Sequence, residues 1–276
     1  MEAIVQALIK PLNYPFMMRG FIASVLVGIT CAVLGSYVVL RGMAFLGDAL
    51  AHAILPGIAI AYLGHWPLFS GALAVGVLTA LGIGYLTQRG RVKEDTAIGV
   101  IFAGAFALGI ALLSTVKAYA TDLMHILFGN VLGVSVADLW LIGGLGALVI
   151  LLILALYKEF LVLSFDPALA TTFRLPVSTL RYLLLIMIAV TIVISLRVVG
   201  VALVMAMLVT PAATAYLLTR RLPAMMCLSA IIGAVSAMIG LYASFYLNIA
   251  SGAAVVLVAT VFFLLALISS PRRRRS

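Results

Sequence analysis

Charge is what this sequence has least of. Asp, Glu, Lys and Arg make up only 9% of its 276 residues, where a soluble domain carries about 25%. Hydrophobic residues make up 66%, and the mean hydropathy is +1.31. Such a chain cannot supply a water-facing surface. That excludes a soluble enzyme, a DNA-binding domain and a disordered tail, and leaves a polytopic membrane protein. Cysteine is scarce as well: Cys31 and Cys227 both lie in apolar runs, so no disulfide framework is implied. Catalytic signatures are missing. Without a Gly-x-x-x-x-Gly-Lys-Ser/Thr loop the chain is not expected to bind and split ATP itself, and it holds neither His-Glu-x-x-His nor Gly-x-Ser-x-Gly. Acidic residues number 8 in all, six of them near membrane surfaces or in loops, which leaves an intramembrane enzyme little to work with. We read the chain as a non-enzyme.

What is present is a series of long apolar runs. A span needs about 20 mostly apolar residues. Runs of that kind cover 19–40, 43–63, 67–87, 95–116, 137–157, 180–197, 198–218, 223–246 and 250–270. The expected fold is all-α: a polytopic membrane helix bundle of about nine transmembrane helices, or eight if the pair around Arg197 packs as one. The whole chain, 1–276, reads as a single transmembrane domain. The beginning does not resemble a cleaved secretory signal: Pro11 precedes any long apolar run, and that run continues to Arg41 as a retained span. Thr30-Cys31 is a poor lipoprotein cleavage match.

The charges then set the orientation. In a nine-span chain, Arg41, Arg89, Arg91, Lys93, Lys158, Arg174, Arg181, Arg220, Arg221 and Arg272 to Arg275 all fall on one side, 13 of the 17 basic residues. The positive-inside rule makes that side cytoplasmic, with the C-terminus inside and the N-terminus outside. The net charge of +9 is therefore a topology signal rather than a nucleic-acid footprint, and the basic tail 271–276 reads as an anchor touching anionic lipid. No nucleic-acid partner is expected.

Two stretches between spans stand out. Residues 158–179 form the longest cytoplasmic loop, where Asp166-Pro167 has the form of a helix start, an N-cap followed by proline, for a short helix ending near Leu175-Pro176. Residues 117–136 are too apolar for a solvated outer loop, which suggests a re-entrant half-helix. Within the first span Gly20, Ser24, Gly28 and Ala32 recur every four residues and form a ridge for close packing.

Ionisable groups inside a membrane are costly and functional by default. Two lie well within a span: Asp48 and His52. Four residues apart, they share a helix face, and His52 falls about 16 Å beyond Arg41, near mid-bilayer. A carboxylate and an imidazole at that depth suit a divalent cation or a proton relay. Pro56 cannot donate to the carbonyl of His52, which could leave a third donor free in the same turn. A second pair, Asp122 and His125, sits on the outer half-helix. It suits either a first contact for an incoming cation or a helix cap. His65, beside Trp66, reads as an interfacial anchor. Pro211, with Thr210 and Thr214, marks either a broken segment lining a path or an ordinary kink.

The motifs together resemble a family. Gly35 through Gly57, containing Gly47-Asp48-Ala49-Leu50-Ala51-His52, is similar to the signature of the permease subunits of manganese/zinc/iron ABC importers. So are Lys93 to Gly99, Leu127 to Gly133, Ser164 to Pro167, and Leu208 to Ala215, the matches extending from about residue 16 to 268. The resemblance implies a homodimer, two ATP-binding cassette ATPase subunits on the cytoplasmic face, and an extracellular or periplasmic metal-binding protein that delivers the ion. It puts Asp48 and His52 on the family's metal site, supporting the reading above. It makes 158–179 the coupling loop, with Phe165, Asp166, Pro167, Ala170 and Leu175 meeting the ATPase. Phe173-Arg174 departs from the pattern, where a smaller residue and glycine are expected. The architecture also resembles the cobalamin-type importer permeases, and the setting is the cytoplasmic membrane of a prokaryote. The divalent ion is substrate, and no cofactor is expected. Asp, His and carbonyl donors without a thiolate cluster suit manganese, iron or zinc. The stretch Met124 to Asn130 is more similar to the manganese branch. The rival reading is a proton-coupled secondary metal transporter, which needs no docking helix.

Overall fold

The computed structural model describes residues 10–88, 92–115 and 133–270. After a short 3-10 turn at Lys10–Asn13, the helices in chain order are α1 (Pro15–Leu40), α2 (Leu46–Ala53), α3 (Leu55–Leu63), α4 (Leu68–Thr87) and α5 (Glu94–Ser114). They continue with α6 (Val136–Ala155), α7 (Tyr157–Phe165), α8 (Pro167–Thr172), α9 (Val177–Leu218), α10 (Leu222–Leu247) and α11 (Ser251–Ser269). No strand occurs among the described residues. Among the described residues nine segments are long and apolar enough to cross a membrane, with α2 and α3 together making one and α9 making two.

Helix ends follow local chemistry. Gly42, with φ +70°, stops α1: its N–H reaches the Val39 carbonyl at 3.1 Å and that of Met43 reaches Val38 at 3.0 Å. This is the paired-bond turn for which glycine is favoured. The same bond pattern ends α3 at His65, φ 54°, and α8 at Arg174, φ 55°. The long helix α9 breaks at Gly200, φ 76° and ψ 170°, a region open essentially to glycine alone. Pro211, the other candidate break, sits inside continuous helix. The Thr214 hydroxyl there donates to the Thr210 carbonyl at 2.7 Å.

The described residues form two compact units. One contains α1 to Ser36, α6 to Leu148, α9 from Ser195, α10 and α11. In it the small-residue ridge of α1 is buried throughout, at Gly20, Ser24, Gly28 and Ala32. A Cβ built on Gly28 would stand 3.0 Å from the Gly233 carbonyl oxygen, so α1 and α10 cross almost backbone to backbone. Ser229 seals that crossing, its hydroxyl donating to the Ala32 carbonyl at 3.0 Å.

The other unit contains the last turn of α1, then α2 to α5, α6 from Val149, α7, α8 and α9 to Ile194. Gly57 of α3 and Gly71 of α4 bring those helices into backbone contact, and Gly109 of α5 receives Leu55 and Pro56. Tyr37 and Phe160, both fully buried, meet edge to face at 5.7 Å. Two guanidinium groups converge on one carboxylate at the ends of these helices. Arg41 Nη2 lies 2.6 Å from Glu94 Oε1, and Arg181 Nε lies 3.9 Å from the same oxygen. Burial pulls the Arg41 guanidinium below its ordinary range; Glu94 opposes this and Arg181 adds to it.

Candidate metal centre

The expected pair sits on α2, an eight-residue helix with Asp48 in its first turn and His52 in its last. A carboxylate near a helix N-terminus and an imidazole near its C-terminus both suit the helix dipole. His52 Nδ1 lies 3.1 Å from Asp48 Oδ1 and 3.0 Å from the Asp48 carbonyl oxygen. A carbonyl only accepts, so a hydrogen bond to it puts the hydrogen on Nδ1. In the neutral ring Nε2 then carries the lone pair, the orientation a metal-binding histidine takes when a carboxylate fixes its other nitrogen. Both side chains are partly open, 22% exposed at Asp48 and 26% at His52.

A wall of aromatic rings surrounds the imidazole. Phe102 and Phe106 of α5 meet it nearly edge-on, at centroid distances of 6.1 and 5.7 Å. They stack on each other at 5.7 Å, and Phe45, which precedes α2, stands against Phe102 at 6.2 Å. Phe102 and Phe106 limit the orientations open to the imidazole, and Phe45 backs Phe102. Sequence reasoning missed them. The signal available was the i,i+4 spacing of Phe102 and Phe106, which an apolar span does not set apart from ordinary packing.

Pro56 acts differently from expectation. The helix does break here, between Ala53 and Leu55, but the His52 carbonyl is not left open. Ile54, at φ −77° and ψ −11°, turns its own N–H onto that oxygen. Two side-chain donors therefore remain at this point. Among the described residues no group of three or more His, Cys, Asp or Glu side chains comes together. Asp122 and His125 lie outside the described residues.

The segment 158–179 is more helical than the expected loop. Tyr157–Phe165 forms α7, ahead of the short helix expected from Asp166-Pro167. Asp166 then caps α8 as the sequence suggests: its carboxylate accepts from the Ala168 and Leu169 amides at 2.9 and 3.0 Å. Phe165 and Asp166 are exposed, Leu175 is half-buried and Ala170 is fully buried. Leu169 and Phe173, which the motif reading omitted, are exposed apolar side chains as Phe165 is.

Nine candidate spans among the described residues, a helical segment between the fifth and sixth of them, and a carboxylate–imidazole pair on the second mark a polytopic membrane protein with a polar site inside a span. The chain belongs to the ABC 3 transport family, whose model matches residues 13–270. It is a membrane transport component. A manganese transport system membrane protein, MntC, of Halalkalibacterium halodurans is 49% identical over 262 residues, 95% of this chain and 90% of that one. A chelated iron transport system membrane protein, YfeD, of Yersinia pestis is 40% identical over 270 residues, 97% of this chain and 90% of that one. Among solved structures, PsaBC from Streptococcus pneumoniae in complex with Fab matches with a TM-score of 0.85 and 38% identity, covering 99% of this chain and 98% of that one.

Proposed function

We propose that this chain is the transmembrane permease of an ATP-driven importer of divalent transition-metal ions. Manganese is the favoured cargo, with zinc and iron the other members of the class. The observation that carries this is the Asp48–His52 contact on one span of a chain of this family. A carboxylate and an imidazole without thiolate suit manganese, iron or zinc and disfavour copper(I). Relatives named for manganese and for iron transport support the same class.

In this reading Asp48 and His52 are the mid-membrane ligands, and the ion is cargo rather than cofactor. Two donors leave a coordination sphere open, and a second copy of the chain in a homodimer supplies the matching pair. Asp122 and His125 are the first contact for an ion released by an extracellular or periplasmic metal-binding protein. The chain acts as one permease domain in a prokaryotic cytoplasmic membrane, with the C-terminus and the tail 271–276 inside and the N-terminus outside. A separate ATPase docks on 158–179 through Phe165, Asp166, Pro167, Ala170 and Leu175. Its closure on ATP is transmitted by α8 to the spans.

The test is manganese uptake by cells expressing the full transporter with Asp48→Ala, corrected for the amount of permease in the membrane. Loss of uptake by about tenfold or more is expected, the scale on which metal sites respond. Intact uptake sinks the central assignment. The proton-coupled alternative predicts that the purified chain alone takes up metal when driven by a proton gradient.

A further inference from the structure

The cluster of Arg41, Glu94 and Arg181 lies outside the two metal donors; Arg41 and Glu94 fall in two of the family-like stretches, but nothing in those stretches pairs them. Glu94 Oε1 is shared between Arg41 Nη2 at 2.6 Å and Arg181 Nε at 3.9 Å, and Arg181 Nη1 donates to the Thr87 carbonyl at 3.1 Å. The Arg41 side chain is only 6% exposed. Its Nη1 atom and the Nε atom of Arg181 are buried without a hydrogen-bond partner among the described residues. Two guanidinium groups thus depend on a single carboxylate. Buried charge persists only where it is paired, and removing one member leaves the rest uncompensated.

Each arm of the cluster leads to the metal centre. Arg41 directly follows α1, and the chain from it enters α2, reaching Asp48 seven residues on. Glu94 is the first residue of α5, and Phe102 and Phe106 follow on that helix about 12 and 18 Å along the axis. The cluster therefore joins the segment that carries the two donors to the helix that walls them. It does so without touching either donor.

We infer that Glu94, held between Arg41 and Arg181, is a positioning residue for the Asp48–His52 centre. It sets the register of the Phe102/Phe106 wall against His52. The inference rests on the reading of Asp48 and His52 as metal ligands. With the carboxylate gone, two like charges are left side by side, the start of α5 shifts from the Arg41 segment, and the imidazole loses its orientation. A tie that served only folding would change how much protein survives and leave the affinity for the ion alone.

The experiment measures manganese(II) binding to the purified full-length permease, from the electron paramagnetic resonance of the free ion. Thermal unfolding is followed on the same samples. Glu94→Gln is expected to weaken the dissociation constant by about tenfold or more, the range found for outer-shell partners of metal ligands. Glu94→Asp keeps the charge and is expected to restore most of the affinity. An unchanged dissociation constant in folded Glu94→Gln overturns the inference. If Glu94→Gln does not fold, Arg181→Gln, which leaves the Arg41–Glu94 pair in place, is the second variant. A smaller loss of affinity there supports the clamp and none overturns it. Asp48→Ala separates the two levels. If it binds manganese as the unaltered chain does, the metal-centre reading itself fails. If it abolishes binding while Glu94→Gln does not weaken it, only the clamp fails.

Discussion

Gly57 of α3 and Gly71 of α4 face each other with bare backbone: a Cβ added to either residue runs into the carbonyl oxygen of the other. The neighbouring residue, Pro56, lies against Gly109 of α5, where an added Cβ would stand 3.0 Å from the proline nitrogen. The helix that follows the Asp48–His52 turn is thus held on two sides by glycines.

The first prediction concerns that contact. Gly57→Ala and Gly71→Ala should each force α3 and α4 apart, at about 1–3 kcal/mol, the usual penalty for overpacking. The double substitution should cost less than the sum of the two, because both act on one contact. Thermal unfolding of the purified chain measures this. A Gly57→Ala protein that unfolds with the unaltered chain contradicts the contact.

Arg174 supplies the second prediction. It ends α8 at φ 55°, with the Leu175 amide bonded to Ala170 at 3.1 Å and its own to Thr171 at 2.9 Å. A side chain in that conformation costs roughly 1–2 kcal/mol that glycine avoids. Arg174→Gly should therefore stabilise the turn by about 1 kcal/mol. This is also the position where the family pattern leads one to expect glycine. A fall in the unfolding temperature would show that the guanidinium makes a contact that outweighs the strain.

The third prediction concerns the start of the same helix. Asp166→Ala removes both side-chain bonds to the α8 amides and should destabilise that helix by about 1 kcal/mol, while Asp166→Asn retains a capping oxygen and should lose little. If 158–179 is the ATPase dock, recovery of the ATPase with tagged permease falls for alanine and holds for asparagine. Equal recovery for both variants separates the cap from docking.

The spans were legible because lipid imposes one demand, a long apolar run, and the sequence meets it nine times. The run read over 67–87 is helical over Leu68–Thr87, and the run over 223–246 over Leu222–Leu247. Asp166-Pro167 was legible because capping is local. What could not be read depends on distant partners. Nothing near Glu94 points to Arg41, 53 residues earlier in the chain. Phe102 and Phe106 look like any aromatic pair in an apolar helix until His52 lies beside them. The break in α9 falls at Gly200 rather than Pro211 because neighbouring helix can absorb a missing amide. A left-handed residue cannot be absorbed so. Asp48 and His52 were legible as a pair for the opposite reason, since so few ionisable groups enter the spans at all.

The break at Gly200 has a bearing on how the protein is made. An unbroken helix of 42 residues would be about 63 Å long, roughly twice the hydrocarbon thickness. One glycine turns that length into two spans, Val177–Leu196 and Val199–Leu218, with two residues between them. No loop separates the two spans, so they are expected to enter the bilayer as a pair. A substitution at Gly200 is therefore expected to lower the amount of protein that reaches the membrane.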